Sequence, residues 1–476
     1  MSKKTIKTAM TVTVSLVIGA VAGMALNTGD TARVINERKA EVMGAAADRY
    51  IASKSVIDPN VKVKTVAGLH HISIEVDQFQ GNIYRASGVA NTFLVNTPAG
   101  NVLFDTGLGT QTAKQKRLLQ EAVGGDLKYI VLSHSHADHM SGTKFWQAEF
   151  PEAKVITHER FADGQRYLKE LEPYFWSRNR LLYPFMPENP PEEGSFVTYG
   201  GIVADAVVRD GDEYRFELGG TEFVLIPTPG AEGEDNLVMW LPGQKALFTG
   251  DVFGPLFPMV PNLFTLRGEK FRDPVAYIQS LDTMIDLNPD MILPSHFDPV
   301  TGAEQLRNDM TAMREATRYI HDETVAGMNA GKTMWELMEE IQLPPELALS
   351  QGHGKVSWNV RSIWEHYSTW FRFESTTELY PVPVNTLYKE VAEMAGGSEP
   401  FIARAINKVA DNKPVEALHL IEMALAETPD NAQAYETRLD ALEILLAEAY
   451  GNGSNHSETG WLKGRITATK SKLASL

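Results

Sequence analysis

Metal-ligating side chains are most crowded in residues 129–142 of this 476-residue chain, Tyr-Ile-Val-Leu-Ser-His-Ser-His-Ala-Asp-His-Met-Ser-Gly, where His134, His136, Asp138 and His139 fall within six positions. The short apolar, β-branched start of this run reads as a buried strand. The polar cluster after it falls where a strand in a layered α/β fold hands over to a loop. An extended backbone sends alternate side chains the same way, so His134 and His136 can meet one ion, and the turn that follows can aim Asp138 and His139 at a second. Imidazole and carboxylate donors suit zinc, iron or manganese, so the cluster by itself does not name the metal. A polar loop with coincidental histidines is a poor account of three His and one Asp at this spacing.

The pattern His-x-His-x-Asp-His resembles the metallo-β-lactamase superfamily, over roughly residues 60–305. The resemblance implies an αββα sandwich carrying one or two metals at the edge of its sheets, with more ligands downstream. Asp105, in Asp-Thr-Gly-Leu-Gly, then has a support role beneath the metals, the alternative being a simple turn-former. Glu232 stands where members usually carry the His of Thr-Pro-Gly-His. It is expected to ligate through oxygen rather than mark a lost ligand, with Glu234 and Asp235 as nearby substitutes. Asp251, at the end of Lys-Ala-Leu-Phe-Thr-Gly-Asp, occupies the place of the carboxylate shared by two metals, and His296 that of the last ligand. The implied shells are His134, His136 and Glu232 on one metal and Asp138, His139 and His296 on the other. Two cations sharing a water lower its pKa towards neutrality, which makes the expected activity hydrolysis with two divalent metal ions, zinc being the expected identity.

Three features narrow the resemblance to the alkyl sulfatases of this superfamily. They too have a Glu in the slot of Glu232, nineteen residues before the shared carboxylate, a spacing reproduced from Glu232 to Asp251, although that residue is typically Glu in the family. In Asn262-Leu-Phe-Thr-Leu-Arg267-Gly, Asn262 and Arg267 match an Asn and an Arg that clamp the sulfate group. A monoanion spread over three oxygens suits a planar guanidinium and an amide donor. Lastly, Gly354-Lys-Val-Ser-Trp-Asn-Val-Arg-Ser-Ile-Trp resembles the run that leads into the family's α-helical dimerisation domain, so a homodimer is expected.

Arg178 and Tyr183, in an aromatic and loop-rich stretch from residue 161 to 200, sit where the family carries an Arg-rich, Tyr-containing segment and are expected to touch substrate. Packing of the aromatics onto the sandwich is the alternative. His353 stands where relatives usually have Tyr, and is expected to protonate a leaving alkoxide, the alternative being a solvated or packing role; Lys355 is a second choice if desolvated. The two routes differ in demand: S–O cleavage needs that acid, whereas C–O cleavage releases sulfate, which Asn262 and Arg267 can stabilise unaided. Many alkyl sulfatases continue into a sterol-carrier-like domain; this sequence stops at Leu476 without one, so a shorter, bulkier or cyclic organic sulfate is expected. Other hydrolases of the fold, acting on a phosphodiester, lactone or β-lactam, are the alternative, and a helical interaction module with a structural metal is the reading from a different class.

These residues need a scaffold, and the length suggests two or three domains. The expected organisation is a signal peptide or N-terminal anchor at 1–29, a helical lead-in at 30–59, a metallo-β-lactamase sandwich at 60–305 and an all-α, tetratricopeptide-like dimerisation domain at 306–476, together an α/β class protein. Residues 61–75 alternate as a strand would, 87–96 and 100–104 read as a hairpin, and helices are expected at about 385–395, 400–411, 414–427 and 431–449. The net charge of −17, from 44 basic and 61 acidic residues, argues against a nucleic-acid partner. With no cysteine, thiol nucleophiles, Cys–metal sites and disulfides are excluded. Lys3, Lys4 and Lys7 precede an uncharged run from Thr8 to Gly29, so a periplasmic or exported location is expected, with an uncleaved membrane anchor as the alternative.

Overall fold

The computed structural model describes residues 28–55, 64–183, 186, 188–189, 201–230 and 232–476. The expected leader therefore lies almost wholly outside the described residues, as does Phe185. Among the described residues no helix is long and apolar enough to cross a membrane.

Strand periodicity builds two stacked sheets. The first holds seven strands in chain order: β1 (Val76–Phe79), β2 (Ile83–Ala86), β3 (Thr92–Thr97), β4 (Gly100–Phe104), β5 (Leu127–Val131), β6 (Lys154–His158) and β7 (Ala206–Val208). The second holds β8 (Tyr214–Leu218), β9 (Thr221–Pro227), β10 (Leu237–Leu241), β11 (Ala246–Gly250), β12 (Met291–Pro294) and β13 (Val300–Thr301). Alternation decides which side chain faces which layer. Phe93, Val95, Val102 and Phe104 point between the sheets towards Leu225, Met239 and Phe248, while Leu94, Leu103 and Ile130 face outward onto Leu119, Trp146 and Phe161. On the far side Val224, Trp240 and Ile292 meet Tyr277, Leu281, Leu306, Met310 and Met313. Each sheet is thus covered on both faces, which is why its strands read as continuous apolar runs.

Strand direction gathers the functional loops. β4 and β5 are parallel, as are β11 and β12. β9 is antiparallel to β10, and β10 to β11, so β9 runs the same way as β11. The loops after β4, β5, β9, β11 and β12 therefore leave from one edge of the sandwich, as ligand sites on such sheets commonly do.

Some expectations are corrected. Residues 66–71 form a 3₁₀ turn, Val66–His71, and the strand starts only at Val76. The hairpin is formed by β3 and β4 alone, with residues 87–91 left as loop. The stretch after residue 161 is helical at first, Phe161–Glu170 and Glu172–Asn179, rather than loop-rich. The long helix Ala303–Asn329 starts before residue 306 and belongs to both halves. Its Leu306, Met310 and Met313 sit in the sandwich core, whereas Ile320 packs with Val260, Leu263, Leu337, Val360 and Ile363. The later helices occur as Tyr388–Met394, Glu399–Ala410, Pro414–Glu427 and Ala432–Gly451, followed by a further helix, His456–Leu473, that the sequence reading did not include.

Candidate metal centre and anion clamp

Asp105 lies at the base of the site. It leaves β4 with φ 56°, a left-handed conformation uncommon outside glycine, and its carboxylate is fully buried. Oδ1 accepts from the Ser133 backbone N–H at 2.8 Å, and Oδ2 accepts from Ser133 Oγ at 2.8 Å, Ser295 Oγ at 2.9 Å and His139 Nδ1 at 2.9 Å. One side chain thereby ties together the ends of β4, β5 and β12 and fixes the tautomer of His139, leaving its Nε2 free to accept a cation. Asp105 therefore lies directly beneath the histidine cluster, against His139.

The histidines present their other nitrogens to one space. His134 Nε2 lies 2.8 Å from His136 Nδ1, and His134 Nδ1 lies 2.9 Å from Ser133 Oγ. His296 donates through Nδ1 to the Val89 carbonyl and turns Nε2 towards Asp251 at 3.0 Å and Asp138 at 3.6 Å. His139 Nε2 lies 3.4 Å from Asp251 and 3.6 Å from Asp138. Ligand atoms of His134, His139 and Asp251 lie within 4.8 Å of one another, as do those of Asp138, His139 and His296. Glu232 Oε2 stands 3.9 Å from His136 Nδ1. All seven expected ligands are thus brought to one buried spot from four separate loops.

These residues fit divalent cations. His139 Nε2 and Asp251 Oδ1 are buried with no hydrogen-bond partner, an arrangement that folded proteins rarely tolerate. Burial disfavours charge on His139, yet the Asp138, Asp251 and Asp105 carboxylates outweigh it and hold its pKa well above the usual range. His296 is raised in the same way, mainly by Asp251. Burial also disfavours a charged Asp251, but His296 and His139 bring its pKa well below normal. Protons on two histidines here balance a carboxylate excess that divalent ions would balance instead. His134 goes the other way, kept neutral by burial and by its His139 and His136 neighbours, as a ligand must be.

Arg267 adjoins this centre. Its Nη2 lies 3.3 Å from Glu232 Oε2 and its Nε donates to Glu269 Oε1 at 2.8 Å. Burial opposes its charge, but Glu269 and Glu232 hold the guanidinium firmly protonated. Asn262 is buried, and its amide nitrogen donates to His353 Nε2 at 3.1 Å. Gly354 sets the approach of that histidine: a Cβ there would stand 2.2 Å from the Pro261 carbonyl oxygen and 2.3 Å from that of Val260, so only glycine lets the loop lie against residues 260–262.

His353 is buried beside Asn262. Burial, then Arg267 and Arg272, push its pKa to about 3. Its Nε2 accepts from the Asn262 amide. Lys355 is paired with Glu458 at 2.7 Å. Arg178 also differs: it is bound to the Leu266 carbonyl at 3.0 Å and the Tyr174 hydroxyl at 2.9 Å, where it props the turn carrying Arg267 rather than facing the centre. Tyr183 does reach the clamp, hydrogen bonding with Arg267, and stacks on His456 with ring centroids 5.6 Å apart.

Several site residues were missed in the sequence reading. Arg272 donates to Glu232 at 2.9 Å and to the Asn262 carbonyl at 2.7 Å, and so locks a ligand and a clamp residue together. Glu269 bridges His136 at 3.2 Å and Arg272 at 2.8 Å. Their signal was present in Arg267-Gly-Glu-Lys-Phe-Arg272, where charges crowd a run otherwise apolar. Ser133 and Ser295 each directly precede a ligand histidine, another visible cue. His456 comes from the last helix, over a hundred residues away, and nothing local marks it.

Two sheets with seven metal-type donors at the shared ends of their strands define a metallo-β-lactamase domain. The family model described as Metallo-beta-lactamase superfamily matches residues 86–296, and that for Alkyl sulfatase dimerisation matches residues 333–458. The chain thus carries a metallo-β-lactamase domain followed by an alkyl sulfatase dimerisation domain. A linear primary-alkylsulfatase from Pseudomonas sp. is 29% identical over 66% of this chain and 62% of its own length. The alkyl/aryl-sulfatase BDS1 of Saccharomyces cerevisiae is 23% identical over 83% of this chain and 66% of its own. This chain therefore spans under two thirds of those relatives. The solved structure of the stereoselective inverting sec-alkylsulfatase Pisa1 from Pseudomonas sp. superposes with a TM-score of 0.71 at 21% identity, covering 85% of this chain and 66% of that one, and so shares the fold.

Proposed function

We propose that this protein is an alkylsulfatase, hydrolysing organic sulfate monoesters to an alcohol and inorganic sulfate with two divalent metal ions, zinc for preference. The observation that carries the reading is the 3.3 Å contact between Arg267 and Glu232, which sets an anion-binding guanidinium against an expected metal ligand. The names of its relatives support the same substrate class. Metal ions held by the seven donors would supply Lewis-acid charge and an activated water.

The chain's own residues do the rest. Asp105 and the Val89 carbonyl hold His139 and His296 with one nitrogen each turned inward. Arg267 can offer N–H groups to sulfate oxygens, while Arg272 keeps Glu232 and Asn262 in register with it. Asn262 gives one amide N–H to His353 and keeps a second that it can offer to a sulfate oxygen. His353 therefore orients the amide of the clamp. The test is sulfate release from a panel of alkyl and aryl sulfates by metal-loaded protein. Release that falls at least tenfold in Arg267→Ala, with metal content unchanged, supports the reading; no release above a His136→Ala control refutes it.

A homodimer is part of the proposal. The segment between helices Val356–Ser368 and Tyr388–Met394 exposes Trp370, Phe373, Tyr380 and Val384, with Phe373 86% exposed. So much apolar surface in one segment is typical of a contact surface, and it lies within the dimerisation match.

A further inference from the structure

Each ligand histidine uses one nitrogen to face the candidate metal space, and the other nitrogen has to be oriented by something. Ser133 Oγ meets His134 Nδ1, Asp105 meets His139 Nδ1 and the Val89 carbonyl meets His296 Nδ1. For His136 the arrangement is reversed. Its Nδ1 faces His134 Nε2 at 2.8 Å and so points at the centre, while its Nε2 lies 3.2 Å from Glu269 Oε2. A carboxylate accepts only, so this contact puts the imidazole proton on Nε2 and leaves Nδ1 with a lone pair.

The same carboxylate also grips the clamp. Glu269 Oε1 accepts from Arg267 Nε at 2.8 Å, and Oε2 also accepts from Arg272 Nη2 at 2.8 Å. The side chain is 7% exposed, so these contacts are made away from bulk water and hold one geometry. Only Gly268 separates it from Arg267, so the turn that delivers the guanidinium also delivers the brace.

We infer that Glu269 is a positioning residue that fixes the metal-binding tautomer of His136 and, through its second oxygen, ties the orientation of Arg267 to that histidine. The inference rests on the alkylsulfatase reading for the identity of the anion but not for the role towards His136. Filling of the histidine pair therefore stiffens the clamp, and loss of Glu269 loosens both.

The test is titration of the metal-free full chain with Co²⁺ against a chromogenic chelator, with the visible absorption of the bound ion as a second readout. In Glu269→Ala, affinity for one of two Co²⁺ equivalents should fall roughly 10–100-fold, with an altered spectrum, while the second equivalent binds as in the wild type. Glu269→Gln, which keeps the volume should the alanine variant not fold, should lose affinity in the same direction, and Glu269→Asp should recover part of it. KM for a sulfate ester should rise in Glu269→Ala more than kcat falls. Folded Glu269→Ala or Glu269→Gln protein that binds both equivalents with wild-type affinity and spectrum overturns the inference. If the wild type releases sulfate from no ester and Glu269→Ala still loses metal affinity, the substrate reading fails and the positioning role stands.

Discussion

Replacing Asp105 by Asn tests whether one buried carboxylate sets the chemistry of the second metal position. The Ser133 backbone N–H needs an acceptor, so the amide oxygen must take the place of Oδ1 and the NH₂ that of Oδ2. One of the Ser133 and Ser295 hydroxyls can rotate to accept one of its two N–H groups while the other turns away, so the fold survives. His139 has no such freedom. Its Nδ1 must become an acceptor, which moves the proton to Nε2 and aims it at Asp138 and Asp251, 3.6 and 3.4 Å away. Exchanging a charged acceptor for a neutral one forfeits about 1–2 kcal/mol. With the wrong tautomer added, affinity at this position should fall roughly 10–100-fold. Chelator competition with Co²⁺ measures the affinity, and ¹⁵N chemical shifts of the histidine rings report the tautomer. An Asp105→Asn protein that binds two ions as tightly as the wild type, with His139 still protonated on Nδ1, would refute the reasoning.

Acid should destabilise the metal-free protein through histidines buried neutral. Burial above all pushes His353 and His456 down to about 3 and His70 to about 4. Their stabilisation is complete above the unfolded value of about 6.5 and lost as pH falls towards the folded values, by roughly 1 kcal/mol per histidine at about pH 5.5. His139 and His296, raised instead, stabilise below about 6.5 and lose that effect as pH rises through their folded values. Urea midpoints between pH 5 and 8 check this, and a midpoint that does not fall on acidification from 6.5 to 5 counts against it. Phe373→Asp should weaken self-association at least tenfold, read by sedimentation velocity, while a wild-type-like dimer would place the interface elsewhere.

The layered architecture was legible because buried strands write long apolar runs and the ligands sit at their ends, as in Tyr129 to His139. Glu232, Asp251 and His296 could be located by resemblance, and all three arrive beside the histidine cluster. What escaped is what depends on a second partner. Val66–His71 alternates like a strand, but its 3₁₀ turn places Leu69 in a buried site instead. Arg178 looks like an anion ligand until Leu266 and Tyr174 occupy its guanidinium. His353 owes its Asn262 contact to a loop 91 residues earlier in the chain. Such outcomes are set by neighbours distant in sequence, which periodicity cannot register.

The helix Ala303–Asn329 works as a shaft common to both halves of the molecule. One end is anchored in the sandwich through Met310 and Met313, and the other carries Ile320 into the cluster that includes Leu263, next to Asn262. Because an α-helix turns about 100° and rises about 1.5 Å per residue, inserting a single residue between Met313 and Ile320 would rotate one grip against the other by nearly a third of a circle. Seven residues of helical phase therefore decide where the floor beneath the amide of Asn262 lies, far from any group that meets an ion or an ester.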